Sequence, residues 1–478
     1  MEHFDLLIVG AGLSGIGAGA RFRMECPGKT FAILEGRTAM GGTWDLFRYP
    51  GIRSDSDMYT LGYRFKPWTD PKAIADGPAI LNYIRETAQE YDLTKAIRYD
   101  HRVSRAEWSA IDARWTVDVQ TGDGLAKLTC GFLYLCTGYY DYAKGYTPEW
   151  PSIKNFGGKV LHPQKWPEYL NYDGKRVVVI GSGATAVTLV PALAEKAEQV
   201  TMLQRSPTYI LSLPAKDRIA DRLRAILPSR TAYAITRWKN VLFATGFYQL
   251  SKWRPEMMKR FIAKGVRREL GDSYHERDHT PSYNPWDQRL CLVPDSDLFY
   301  VLKTGKASIV TDEIERFDET GIFLKSGEHL NADIIVTATG LVVKLMAGLD
   351  LVVDGSPVDM SQTIAYKGMM YTDVPNLASA FGYTNASWTL KCDLTAEYVC
   401  RLLKHMDTKG YTSCTPRLND PTVEREPVLD FKSGYVLRAL ADLPSQGSKH
   451  PWRLHQNYIK DLAMLRYGKL EDGTMEFK

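Results

Sequence analysis

Two segments of this chain have the residues and spacing to hold a phosphate chain. Gly10, Gly12 and Gly15 lie in FDLLIVGAGLSG, and Gly181, Gly183 and Ala186 lie in KRVVVIGSGATA. In each, an apolar run expected as a strand meets a helix-compatible stretch. The first glycine permits the tight turn and the second lets the backbone approach a pyrophosphate. The third position is small, so the helix packs closely, and the helix N-terminus attracts the phosphate charge. Glu35 lies 20 residues past Gly15, at the end of TFAILEGR, where a carboxylate accepts hydrogen bonds from a ribose diol. The equivalent place in the second unit, QVTMLQRS, carries Arg205 and Ser206. A guanidinium binds a 2′-phosphate bidentately, which a carboxylate would repel. The second site is therefore expected to take NADP(H). The first is expected to take FAD, the dinucleotide that flavoproteins commonly place on the N-terminal unit, with hydride passing from NADPH to flavin.

The elements that must position these residues follow a strand–helix–strand order twice over. That order predicts an α/β fold of two dinucleotide-binding Rossmann-like domains. Between Leu211 and Gly271 the texture turns helical and basic, with 14 Lys/Arg against 4 Asp/Glu, and reads as a helical insertion in the second domain. The expected boundaries are 1–142 and 371–478 for a discontinuous FAD-binding domain, 143–210 and 286–370 for the NADP-binding domain, and 211–285 for the insertion. With 478 residues and 44% hydrophobic content, the chain has ample length for such cores. A net charge of +4 gives no case for nucleic acid. No apolar run approaches the roughly 20 residues of a membrane-spanning helix. The polar start and seven scattered cysteines fit a reducing, cytoplasmic setting.

The electrons must leave the flavin by some route. A redox disulfide is not expected, because GGTWDLFRYPGIRSD has Trp44 where flavin disulfide reductases carry their first cysteine. Two longer patterns give another answer. Phe156, Gly158, His162, Trp166 and Pro167 occupy NFGGKVLHPQKWP, and Gly42, Thr43, Trp44, Tyr49, Pro50, Gly51 and Asp55 occupy the earlier segment. Together with YNPWDQRLCLVP and YTNASWTLK they resemble the type I Baeyer–Villiger monooxygenases over essentially the whole chain. The similarity is greatest to the subgroup containing the mycobacterial monooxygenase that activates thioamide prodrugs.

That resemblance implies NADPH- and O2-dependent oxygenation of a small apolar ketone to an ester, or of a cyclic ketone to a lactone, through a C4a-peroxyflavin. Oxygenation of sulfides and thioamides is an implied side activity. The family's active-site arginine corresponds to Arg289 and its carboxylate partner to Asp55; a fixed cation would stabilise the anionic oxygen species. Gln288 departs from the lysine usual before that arginine in other branches. Asn385 and Trp388 are candidates beside the flavin. His162 is expected to be a hinge residue rather than a proton carrier. The segment 155–167 itself shows no helical or strand periodicity and reads as a connector. His275 and His279 spell H-E-x-x-H, but Gly271 and Pro281 leave no room for the helix a zinc site needs, so no metal is expected. The basic insertion, with Trp238, Phe243, Phe247 and Trp253, is read as a solvated cap whose aromatics line a substrate entrance; weak attachment to an anionic membrane surface stays open. Two other enzymatic readings are an N/S-oxygenating flavin monooxygenase and an uncoupled NADPH oxidase. A nucleotide-binding redox sensor is the non-enzymatic one.

Overall fold

The computed structural model describes residues 1–288, 290–429 and 433–478. The strand Glu2–Val9 carries four consecutive buried residues at its end, Leu6 to Val9, as a strand covered on both faces requires. It pairs in parallel with Phe31–Leu34 on one side and Gly124–Leu135 on the other. The 12-residue strand Gly124–Leu135 is shared along its far edge. Its first part pairs antiparallel with Arg114–Thr121, and its last three residues pair in parallel with Leu377–Ser379. Arg102–Ser109 and Asp350–Val353 extend this nine-stranded sheet.

The second sheet has five strands, all parallel: Ala307–Thr311, Gln199–Gln204, Arg176–Ile180, Ile334–Thr337 and Lys159–Leu161. Val177–Ile180 and Ile334–Thr337 are buried throughout. The outermost strand, Lys159–Leu161, belongs to the segment read from sequence as a structureless connector. Its three residues are exposed or half-buried, so no alternation marks it as a strand.

The chain crosses between the sheets twice, through 136–158 and 338–349, and the two crossings pair with each other. Tyr140–Gly145 and Leu341–Val343 form an antiparallel ribbon, closed at its ends by Tyr146 N–H to Gly340 O (3.0 Å) and Lys344 N–H to Tyr139 O (2.9 Å). The long helix Trp388–Lys409 returns to the first unit and packs on Leu13–Glu25, where Arg21 Nε meets Asp393 Oδ1 at 2.9 Å.

Between the parallel strands Tyr209–Leu213 and Leu290–Pro294 rise three helices: Arg218–Ile226, Ser229–Trp253 and Pro255–Leu270. The first starts where Asp217 accepts from the Ile219 and Ala220 amides at 3.0 Å. The third starts at Pro255, tolerated in a first turn, and stops at Gly271 with φ +57°. Among the described residues no helix is long and apolar enough to cross a membrane. Glu276–His279 is a single turn in which His279 Nδ1 lies 2.9 Å from the His275 carbonyl.

Candidate active site

Both glycine turns sit where their strands end. A Cβ on Gly10 would lie 2.6 Å from the Cys136 carbonyl oxygen, and one on Gly181 would lie 2.3 Å from that of Ala338; both have positive φ, +104° and +134°. The protein's own backbone therefore demands glycine at each first position. The middle positions differ. Among the described residues a Cβ on Gly183 would meet no atom within 4 Å, and one on Gly12 would make only an ordinary 3.5 Å contact with Gly42. Both cap the following helix, Ala184–Leu193 and Leu13–Glu25, without any side-chain hydrogen bond to its first amides. Space is thus left above two helix N-termini, and among the described residues no side chain fills it. Gly15 is packed against the Gly10 carbonyl, whereas Ala186 accommodates its methyl fully buried.

Glu35 follows the strand Phe31–Leu34 and is 7% exposed. Its Oε2 accepts from Ala11 N–H at 2.8 Å and its Oε1 from Arg37 N–H at 3.0 Å. Burial pushes the carboxyl above its ordinary pKa, and the two amides offset only part of that. A carboxylate so placed gains from further O–H donors, which a ribose diol supplies. The second glycine turn of the first unit abuts it: Gly41 N–H donates to Ala11 O at 2.9 Å. Thr43 Oγ1 is hydrogen-bonded to Tyr140 OH, and Trp44 is half-buried beside it. Asp45, which the sequence reading missed, is 4% exposed and ion-paired to Arg37 (2.7 Å) and Arg48 (2.9 Å), so it holds this turn rigid.

In the second unit Arg205 and Ser206 follow Gln199–Gln204 and are both exposed. Ser182 Oγ donates to the Ser206 carbonyl at 3.0 Å, which joins the glycine turn to the Arg205 loop. Gln204 is buried and donates to Asp278 O and Thr311 Oγ1, anchoring the loop from below. Arg205 makes no ion pair among the described residues.

One cleft of about 1270 Å³ joins the two units. Gly12 and Gly42 line it from the first, Ala184 and Thr185 from the second, and Asp55, partly buried, from the loop between them. Phe243 and Phe247 of the helix Ser229–Trp253 stack at 6.3 Å on its rim, whereas Trp253 is 71% exposed and away from it. Asn385 Nδ2 donates to Gln456 O at 3.0 Å, while its buried Oδ1 has no hydrogen-bond partner among the described residues; Asn385 lines the cleft. Trp388 donates Nε1–H to Ser14 Oγ (2.9 Å) and stacks on Tyr139 at 5.2 Å. Arg53 ties the Asp55 loop to Asp297 of the second unit. Arg289 lies outside the described residues.

The Phe156–Pro167 set does not face the cleft. Phe156 is buried under the second sheet, Gly158 is crowded by the Asp333 carbonyl, and Trp166 packs on the core of that unit while Pro167 is exposed. His162 Nε2 lies 3.1 Å from Gly340 O, and Gln164 N–H donates to His162 Nδ1 at 3.2 Å. Gln164 Nε2 donates to Asp141 O at 2.7 Å. Nδ1 accepts, so Nε2 carries the proton, and the ring is neutral. Burial lowers its pKa in keeping with that, only partly opposed by the bond to Gly340. The imidazole and its neighbour thus clasp both strands of the ribbon that connects the units. No sequence signal announced this, because Gly340 is 178 residues away. The sequence reading counted Ala338-Thr339-Gly340 only as part of the family match and missed its pairing with Cys136-Thr137-Gly138: the two follow equivalent strands, and each presents the carbonyl that forces glycine at position 10 or 181.

A family model described as flavin-binding monooxygenase-like matches residues 70–406. The FAD-containing monooxygenase EthA of Mycobacterium tuberculosis is 54% identical over 478 residues, spanning 100% of this chain and 98% of that protein. The probable FAD-binding monooxygenase AlmA of Acinetobacter baylyi is 48% identical over 480 residues, spanning 100% and 96%. Among solved structures, oxidized steroid monooxygenase bound to NADP aligns with a TM-score of 0.75 at 24% identity, over 99% of each chain. ε-Caprolactone-bound cyclohexanone monooxygenase aligns with a TM-score of 0.75 at 18% identity, over 100% of each. At those identities the solved structures establish a shared fold.

Proposed function

The chain belongs to the flavin-binding monooxygenase-like family, and from that premise we propose that it is an FAD-containing, NADPH- and O2-dependent Baeyer–Villiger monooxygenase of apolar linear or aromatic ketones. The observation that carries the proposal is one cleft lined by Gly12 and Gly42 of the first unit and by Ala184 and Thr185, at the start of the helix after the second glycine turn. A nicotinamide held at the second turn and a flavin held at the first would meet in it. The residues fit both groups. Gly12 and the helix N-terminus beneath it would take the FAD pyrophosphate, Glu35 its ribose, and the orphan Oδ1 of Asn385 a ring N–H. Gly183 would take the NADP pyrophosphate, with Arg205 and Ser206 on the 2′-phosphate.

The chemistry supplied by bound FAD is acceptance of hydride from NADPH and activation of O2. The chain's part is to position, to shield and to stabilise charge. Phe243, Phe247, Leu292, Leu345, Phe381 and Val436 make the cleft walls apolar, which keeps water out and favours an apolar ketone. We assign Arg289 to the anionic oxygen species and Asp55 to holding that guanidinium, on the family resemblance; losing such a donor costs about 3 kcal/mol in barrier. Thioethers and thioamides are proposed as side substrates, and the cytoplasm as the place of action.

The test incubates the FAD-loaded protein with NADPH and a panel of ketones and sulfides, followed by mass spectrometry for one added oxygen atom. Esters from ketones are expected, and Arg289→Ala should accept hydride while forming none. NADPH consumption independent of any ketone, with stoichiometric hydrogen peroxide, would instead make the protein an oxidase. Oxygenation of sulfides and amines alone would make it an N/S-monooxygenase.

A further inference from the structure

The helices between Tyr209–Leu213 and Leu290–Pro294 turn apolar side chains outward. Nine of the nineteen large apolar side chains exposed among the described residues lie between Ile219 and Phe261, in 43 of the 478 residues. The helix Ser229–Trp253 carries the main part as one stripe. Ile235, Trp238, Leu242, Gly246, Gln249 and Trp253 recur at intervals of three and four, the spacing of one helix face, and all six are exposed. None of them is charged. Past Arg254 the next helix, Pro255–Leu270, adds Met257 and Phe261, which are 47% and 59% exposed.

The opposite face of the long helix is pinned to the first unit. Tyr233 OH donates to Tyr63 O (3.0 Å), and Arg237 Nη1 donates to the carbonyls of Tyr59 (2.6 Å) and Gly62 (2.7 Å). The helix cannot roll to bury its stripe without breaking those bonds. A solvent-facing helix side is ordinarily polar, and a contiguous apolar one marks a contact surface. The neighbouring charges name the partner's sign. Arg260 and Lys264 share the helix face of Met257 and Phe261, and Arg222 shares that of Ile219 and Ile226 on Arg218–Ile226. These three cations and Arg254 are exposed and make no ion pair among the described residues. Arg254 lies over the Trp253 ring at 4.5 Å. Across residues 211–271 there are 14 Lys/Arg against 4 Asp/Glu, so the partner is anionic. Three successive helices repeat this mixture of exposed apolar and cationic residues, which a fluid surface accepts without a matched shape.

We propose that this helical face docks on the surface of a membrane rich in anionic lipid, lying on it rather than crossing it. The uncharged stripe enters the boundary of the acyl chains, and the cations meet the lipid phosphates. Trp253, with its indole beside Arg254, suits the level where headgroups meet hydrocarbon. Phe243, next to Leu242 in the chain, lines the catalytic cleft, so the docked face borders the cleft's rim. The docking does not rest on the reaction proposed above; it sets that rim where apolar molecules collect.

The test is co-flotation of the FAD-loaded protein with vesicles of phosphatidylcholine alone and of phosphatidylcholine mixed equally with phosphatidylglycerol. Binding to the mixed vesicles is expected to be tighter by about tenfold or more, and to weaken as salt is raised. Leu242→Ser combined with Trp253→Ser removes exposed apolar surface outside the cleft. It should lower affinity for the mixed vesicles by about tenfold or more with an unchanged melting temperature. Arg260→Gln and Lys264→Gln should each lower it roughly fivefold. Failure to float with either vesicle, equal binding to both, or affinity unmoved by the Leu242/Trp253 variant would each overturn the assignment. So would a dimer formed without lipid that the same variant abolishes, since a second copy of the chain would then cover the stripe.

Discussion

The contrast between Gly181 and Gly183 gives a prediction that separates a packing role from a ligand role within one turn. At Gly181 an alanine would need φ +134° and would drive its methyl to 2.3 Å from the Ala338 carbonyl oxygen. The backbone conformation costs about 1–3 kcal/mol for a residue with a Cβ, and displacing the neighbouring backbone about 1–3 kcal/mol more. Gly181→Ala should therefore destabilise the FAD-loaded, NADP-free protein by roughly 2–5 kcal/mol. At Gly183 the backbone is extended, φ −82° and ψ −176°, and the methyl would meet no atom of the described residues within 4 Å. Its effect on the NADP-free protein is limited to a poorer helix N-cap, about 0.5–1 kcal/mol. The same methyl would occupy the approach to the pyrophosphate, and overpacking there costs about 1–3 kcal/mol, or roughly 5–150-fold in NADP+ affinity. Denaturant unfolding without NADP+ and calorimetric titration with it measure the two quantities. If Gly183→Ala binds NADP+ within twofold of the parent, or Gly181→Ala unfolds at the parent's midpoint, the division of labour argued here is wrong.

Arg205→Gln should weaken NADPH binding by about 5–30-fold, the lower part of the range for charged hydrogen bonds because the side chain is exposed, and leave NADH almost unaffected; stopped-flow flavin reduction with both cofactors reads this. Gly145→Ala would place a methyl 1.9 Å from the His162 ring, so it should destabilise by about 2–3 kcal/mol, and adding His162→Ala should recover part of that loss in a double-mutant cycle. The folded-state pKa of His162 is lowered, so between it and the unfolded value of about 6.5 the unfolded chain binds more protons. Stability should fall as pH drops below that value, and His162→Gln should show a shallower fall between pH 7 and 5 in denaturant midpoints.

The parts legible in sequence were those set by neighbours along the chain. The Gly10 and Gly181 turns, the strands before them and Glu35 after them follow from local steric rules, and the structure has them where those rules put them. The helical character of the basic stretch was legible from its texture, whereas the limits set by Asp217, Pro255 and Gly271 were read only in the structure. What stayed hidden depends on partners far apart. The strand Lys159–Leu161 has no pattern of its own and exists because Ile334–Thr337 offers an edge. Asp45 looks like one more surface acid until Arg37 and Arg48 close over it.

The paired crossings have a mechanical meaning. Two independent tethers would let one half of the molecule wobble against the other in several directions. Tyr140–Gly145 laced to Leu341–Val343 instead ties the two tethers into one ribbon, so neither can bend without the other. His162 bonds to Gly340, just before one strand, and Gln164 to Asp141 within the other, so the segment that follows Lys159–Leu161 is fastened to both crossings at once.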